Sequence, residues 1–296
     1  MGATRREFFA YSGAAALGSA LAGGLGVGLA PGGALAASEA PKKVKIRVGA
    51  RTGCLGKGGP EALAVAKKLA IDGIEIEAGG PNDQLECADP ELQKRYVAEI
   101  EKTGVAMASI CMGLLNSNPV FSDPRAKSWL DQTIDATAAL GAKSILVAFF
   151  GSGNMKGKKD AQTKTIEIAK SVAEHAEKKS VILGLENTLS AEENIEIVDK
   201  IGSPFVRVYY DIGNSNGQGY DVPKEIRTLG TKYICEIHFK DGGALLGRGK
   251  IDMAAVGLAV RDIGYEGWIV LETGNPLGPE ASSAYNTGFI RGLLCS

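Results

Sequence analysis

The chain has 296 residues, 45% of them hydrophobic, with 33 Lys+Arg set against 34 Asp+Glu and a formal net charge of −1. That balance gives no electrostatic footprint for nucleic acid. The length is enough for one large α/β domain.

The first residues stand apart from the rest. Thr4-Arg5-Arg6-Glu7-Phe8-Phe9, an Ala/Gly/Leu run from Gly13 to Ala30 and then Ala34-Leu35-Ala36 read as the charged, apolar and small-x-small parts of a signal peptide over residues 1–36. The paired arginines ahead of Phe8 and Phe9 have the form of a twin-arginine signal, so export to the periplasm or beyond through the twin-arginine machinery is expected. An ordinary secretory signal is one alternative, and a retained membrane anchor is the other. The anchor fits less well, because the run is Gly-rich and weakly apolar, whereas spanning takes about 20 strongly apolar residues. Removing the segment takes away Arg5, Arg6 and Glu7 and leaves 31 Lys+Arg against 33 Asp+Glu. The five cysteines, Cys54, Cys87, Cys111, Cys235 and Cys295, form no CxxC pair and no disulfide framework, so buried thiols are expected.

Beyond a polar linker at residues 37–43, two textures alternate. Short Val/Ile-rich runs predict strands at 44–50, 73–78, 105–112, 144–150, 181–187, 206–211, 233–241 and 268–273. Longer Ala/Lys/Glu-rich stretches with helical periodicity follow them, at 60–70, 90–103, 123–140, 161–179, 191–201, 222–229, 253–263 and 279–293, several closed by Gly. Eight strand-then-helix units in series predict a single (β/α)8 TIM barrel over residues 44–296. A doubly wound open sheet is disfavoured, since Arg51–Gly59 lacks the spacing of a dinucleotide fingerprint.

Such barrels carry their chemistry where strands end. The fifth ends Leu185-Glu186-Asn187, the sixth Tyr210-Asp211-Ile212-Gly213-Asn214, the seventh Ile237-His238-Phe239-Lys240-Asp241 and the eighth Leu271-Glu272-Thr273. Any one of these acids alone would most simply cap a helix or pair with a lysine. Four ionisable groups converging after apolar strands need a cation. Three carboxylates and an imidazole favour Mn²⁺, then Mg²⁺, with Co²⁺ and Zn²⁺ as further options. Two open positions on an octahedral ion would chelate a hydroxy-ketone and stabilise an enediolate.

The segments Leu183-Gly184-Leu185-Glu186-Asn187, Asp211-Ile212-Gly213-Asn214, His238-Phe239-Lys240-Asp241, Leu246-Gly247-Arg248-Gly249-Lys250-Ile251-Asp252 and Leu271-Glu272 resemble those of the xylose-isomerase-like barrel superfamily, and within it the sugar phosphate isomerase/epimerase group. The resemblance runs from about Val44 to the end. It implies one metal at Glu186, Asp211, His238 and Glu272, with Glu186 and Glu272 also the catalytic acid and base. Apurinic endonucleases share the fold but need several histidines, and this chain has only His175 and His238, the former in a Lys/Glu-rich helix. Ketose 3-epimerases of the superfamily commonly have a substrate-binding His three residues after the strand-six Asp. Asn214 stands there, which argues against a free-ketose 3-epimerase.

Further substrate-binding candidates are Lys240, inward by its alternation with His238, Arg248 in a Gly-flanked loop, Asn214, Asn116 and Glu75. Glu77 shares the parity of Glu75, so at least one of these two is structural. The leading expectation is a metal-dependent isomerase or epimerase of a small carbohydrate, whether ketose, keto-sugar or sugar phosphate. A lyase acting on a keto-sugar, keto-inositol or 3-keto-glycoside is the alternative, since inosose and dehydroshikimate dehydratases resemble the chain in the His-x-Lys-Asp run. A sugar-binding protein on an inactive barrel is the third reading. The sequence leaves room for a homo-oligomer.

Overall fold

The computed structural model describes residues 44–294. The expected signal peptide, the linker and Cys295 lie outside the described residues. Eight parallel strands follow in order: β1 (Lys45–Arg51), β2 (Gly73–Glu77), β3 (Ala106–Met112), β4 (Ser144–Ala148), β5 (Ile182–Glu186), β6 (Val206–Asp211), β7 (Ile234–Phe239) and β8 (Glu266–Leu271). Each pairs with the next, and β1 pairs with β8 from Lys45↔Glu266 to Ala50↔Leu271, which closes the barrel. The principal helices are α1 (Ala62–Lys68), α2 (Pro90–Thr103), α3 (Ala126–Ala139), α4 (Lys159–Lys179), α5 (Ala191–Ile201), α6 (Val222–Tyr233), α7 (Met253–Asp262) and α8 (Pro279–Leu294). One follows each strand, as the alternating textures predict.

Local chemistry sets the helix boundaries. Asp89 accepts from Glu91 N at the start of α2, with Pro90 in the first turn, and Gly104 takes the left-handed conformation (φ 73°) that ends it. Ser190 and Glu193 form a reciprocal capping box on α5. In α6 the helical geometry breaks at Gly230 (φ 57°, ψ −171°). That explains why the periodicity stops at Leu229.

Strand alternation sorts the side chains into two layers. Leu183 and Leu185 of β5, Val208 and Tyr210 of β6, and Ile237 and Phe239 of β7 join the main core beneath the helices. The other parity points into the barrel. Two register shifts, at Ile74/Glu75 and Val208/Tyr209, bring Glu75 beside Ser109, Tyr209 beside Glu236 and Asp211 beside His238. Irregularities of this kind re-aim side chains near functional sites. Cys54, Cys87 and Cys111 are buried free thiols and Cys235 is a half-buried one. No helix among the described residues is long and apolar enough to cross a membrane.

Candidate metal centre

Glu186, Asp211 and His238 stand at or near the C-terminal ends of β5, β6 and β7, and Glu272 follows β8 directly. One ligand atom from each lies within 4.8 Å of all the others. The approach is centred on the imidazole. His238 Nδ1 is 3.4 Å from Glu186 Oε1, 3.6 Å from Asp211 Oδ2 and 3.4 Å from Glu272 Oε2. Asp211 divides its two oxygens: Oδ1 caps the short helix Ile212–Gly217 by accepting from Asn214 N (2.6 Å), and Oδ2 faces the cluster.

These residues fit a divalent cation. His238 Nδ1 and Asp211 Oδ2 are buried without a hydrogen-bond partner, although Lys240 Nζ is in ion-pair contact with the latter at 3.0 Å. Unsatisfied buried atoms of this kind are costly unless something pairs with them. The imidazole is also held as a ligand should be. Its Nε2 lies 3.3 Å from Glu75, an acceptor that calls for a proton on Nε2 and so leaves Nδ1 to serve as the ligand atom for a cation.

Glu75 is the upper end of a buried polar chain through the barrel. Glu75 Oε2 accepts from Ser109 (2.7 Å) and from Tyr209 OH (2.8 Å). Tyr209 OH also lies 3.0 Å from Glu236 Oε2, and Glu236 Oε1 accepts from Ser144. The Tyr209 ring meets the His238 ring edge-on, with centroids 4.6 Å apart. Barrel interiors are ordinarily packed with branched apolar residues. Here a hydrogen-bonded stack fixes one histidine.

Two cations close the site from above. Arg51, at the end of β1, directs Nη1 to Glu272, Nη2 to Glu77 and Nε to Glu75 (3.3 Å). Lys240 Nζ bonds Glu272 Oε2 (2.6 Å). Its stem crosses Gly213, where a Cβ would overlap the lysine chain. Both oxygens of Glu272 are therefore held by cations. Glu186 receives only the Asn214 amide at 3.1 Å and the imidazole.

The two glutamates consequently titrate in opposite directions. Burial pushes Glu186 up to about 7, against the pull of His238. Burial also acts on Glu272, but His238, Lys240 and Arg51 outweigh it and hold that carboxyl well below the usual range. Burial disfavours the charged imidazole of His238, yet the surrounding carboxylates, Glu75 and Glu272 foremost, raise it well above its ordinary value. A divalent cation would take over that compensation and leave the imidazole a neutral ligand.

The structure brings together the four expected ligands, Lys240 and Asn214, and separates the other candidates. Glu75 is buried beneath His238 rather than open to the mouth of the barrel, while Glu77 is half-exposed on the rim. Asn116 uses Oδ1 to accept from Phe150 N. Arg248 is an exposed side chain in its loop. His175 lies on α4 between Asp131 (2.8 Å) and Asp135 (3.1 Å), a helix-surface cluster. Sequence reasoning missed Arg51, Tyr209, Glu236 and Ser144. Parity offers a signal for two of them, since Glu236 alternates with His238 and Tyr209 with Asp211.

Glu75→Gln tests the support under His238. The amide removes the negative charge that faces Nε2–H, so Mn²⁺ affinity should fall about 10–100-fold with the fold intact. Calorimetric titration alongside circular dichroism measures both. An unchanged affinity would mean that Glu75 does not support the ligand.

A family model described as xylose isomerase-like TIM barrel matches residues 63–292. A 2-epi-5-epi-valiolone 7-phosphate 2-epimerase of an Actinoplanes species is 27% identical over 66% of this chain and 73% of that protein. An L-ribulose-5-phosphate 3-epimerase of Escherichia coli is 24% identical over 72% of this chain and 81% of that protein. Among solved structures, a D-psicose 3-epimerase with D-tagatose from Clostridium cellulolyticum superposes with a TM-score of 0.72 at 20% identity, over 84% of this chain and 99% of that one.

Proposed function

The chain belongs to the xylose isomerase-like TIM barrel family, and from that premise we propose that it is a divalent-metal-dependent isomerase or epimerase of a small carbohydrate. The observation that carries the reading is the convergence of Glu186, Asp211, His238 and Glu272 on one point at the C-terminal rim. The epimerase names of the relatives agree with it. A cation held by these four side chains, Mn²⁺ foremost given three hard oxygens and one imidazole, would polarise a substrate carbonyl and offset the carboxylate charge.

The chain's own residues then divide the work. Glu186 and Glu272 come from non-neighbouring strands and so flank whatever lies between them. One takes the proton from the carbon next to the carbonyl. The other returns a proton to the opposite face, or to the adjacent carbon. Asn214 fixes the orientation of Glu186, and Arg51 and Lys240 fix that of Glu272. Glu75 keeps the His238 ring from turning.

Lys240 favours a second reading. Its ammonium sits between Asp211 and Glu272, where it is placed to protonate an oxygen leaving from the β carbon, which would make the enzyme a lyase. One experiment addresses both readings. Metal-loaded protein is incubated with ketoses and keto-sugars in heavy water, with carbon-bound deuterium and enone absorbance followed together. Deuterium without enone is the expected result. Enone formation moves the assignment to elimination, and neither signal with any candidate would overturn proton-transfer chemistry.

A further inference from the structure

We propose that the substrate is a neutral, non-phosphorylated keto-sugar or keto-glycoside, an assignment that rests on the carbohydrate isomerase reading above. The first observation is that the two cations at the site are committed. Each nitrogen of the Arg51 side chain points at a different carboxylate, and Lys240 bridges Asp211 and Glu272. Around them stand five carboxylates, Glu75, Glu77, Glu186, Asp211 and Glu272, with the His238 imidazole among them. With a divalent cation bound and the imidazole a neutral ligand, the five carboxylates still exceed the charge of Arg51, Lys240 and the ion by one. A phosphate dianion would meet like charge, whereas sugar hydroxyls would meet acceptors.

The second observation concerns the loop after β7, a common place for phosphate in these barrels. Three consecutive amides do converge there into an anion-binding nest. The anion is already supplied by the chain. Gly249 N donates to Asp241 Oδ2 at 2.9 Å, and Lys250 N and Ile251 N donate to Oδ1 at 2.8 and 3.1 Å. Asp241 is buried, and Gly249 is required because a Cβ there would overlap that carboxylate. An incoming phosphate would have to displace a covalently tethered competitor.

The third observation is the space beside the site. A cavity of about 370 Å³ opens next to Glu272 and is lined by Arg51, Thr52, Glu77 and Thr273 among others. It adjoins a cleft of about 330 Å³ that shares Thr52 and Glu77 and adds Glu61, Glu86 and Arg95. Arg95 is paired with Glu61 at 3.0 Å. On this side of the site, both cavities are lined with more carboxylates than cations, and their arginines are paired with those carboxylates. They suit the uncharged remainder of a sugar or glycoside.

The experiment compares matched pairs on the metal-loaded enzyme: D-fructose with D-fructose 6-phosphate, D-ribulose with D-ribulose 5-phosphate, and methyl 3-keto-glucoside with its 6-phosphate. Solvent deuterium incorporation gives kcat/KM, and inorganic phosphate is titrated as a competitor. The free sugar of at least one pair should exceed its ester by about 100-fold, and phosphate should not compete. Glu77→Gln, which removes one rim carboxylate, should narrow that ratio about fivefold. An ester turned over as well as its free partner, or competition by phosphate, overturns the assignment and leaves the isomerase reading standing. A ratio unmoved by Glu77→Gln overturns its electrostatic basis. Exchange with no member of any pair overturns the isomerase reading itself, and the substrate class with it.

Discussion

Glu186→Gln and Glu272→Gln should each lose turnover by about 10²–10⁴-fold with metal at saturation, the range expected for removing a positioned acid or base. An amide oxygen can still face a cation, but the amide cannot take or give a proton at neutral pH. The two variants should nevertheless differ. Glu186 is buried with one amide and the imidazole around it, and it is pushed up to about 7 mainly by burial. Its replacement removes a charge that the site barely compensates. Glu272 is bonded by Arg51 and Lys240, and its replacement leaves both cations without a shared partner. Glu272→Gln should therefore also disturb Lys240 and raise KM, while Glu186→Gln should act on kcat. Steady-state kinetics at saturating Mn²⁺ separates the two effects. Full activity in both variants would make the glutamates ligands only.

Asp211→Asn and His238→Asn should instead act on the metal. Neither residue is assigned a proton to move, and each contributes a buried atom with no other hydrogen-bond partner. Mn²⁺ affinity should drop by about 100-fold or more, beyond what loss of a supporting residue costs. Activity should return in part at high metal concentration. Asp211→Asn keeps an oxygen to accept from Asn214 N, so the cap of the helix Ile212–Gly217 should survive and the folded structure with it. Metal titration by calorimetry, followed by assays at saturation, gives both quantities. Unchanged affinity in either variant would remove that residue from the ligand set.

The sequence carried the ligands because each is an ionisable group at the end of an apolar strand, on four consecutive strands. It carried the helices because their caps are written locally, as at Asp89, Ser190 and Gly104. It did not carry height within the barrel. Parity tells whether Glu75 points inward but not whether it lies in the layer that meets the substrate or the one below. One step of two residues along a strand moves a side chain by roughly 6–7 Å. Glu75 thus belongs beneath His238, and Glu77, one step on, belongs to the rim. Arg51 is hidden for a similar reason. The first strand reads as ending at Ala50, but the pairing continues to Arg51↔Glu75. The hydrogen-bonded stack of Ser144, Glu236 and Tyr209 depends on register shifts that no local pattern announces.

All of these expectations rest on one cation bound by Glu186, Asp211, His238 and Glu272. A crystal of the protein soaked in Mn²⁺, with anomalous scattering recorded at the manganese edge, locates that ion without reference to activity. The peak should lie among Glu186, Asp211, His238 Nδ1 and Glu272, at about 2.0–2.3 Å from each ligand atom, with Nε2 still directed at Glu75. A peak bound elsewhere, or one that His238 does not touch, would contradict the metal centre and the proton-transfer roles built on it.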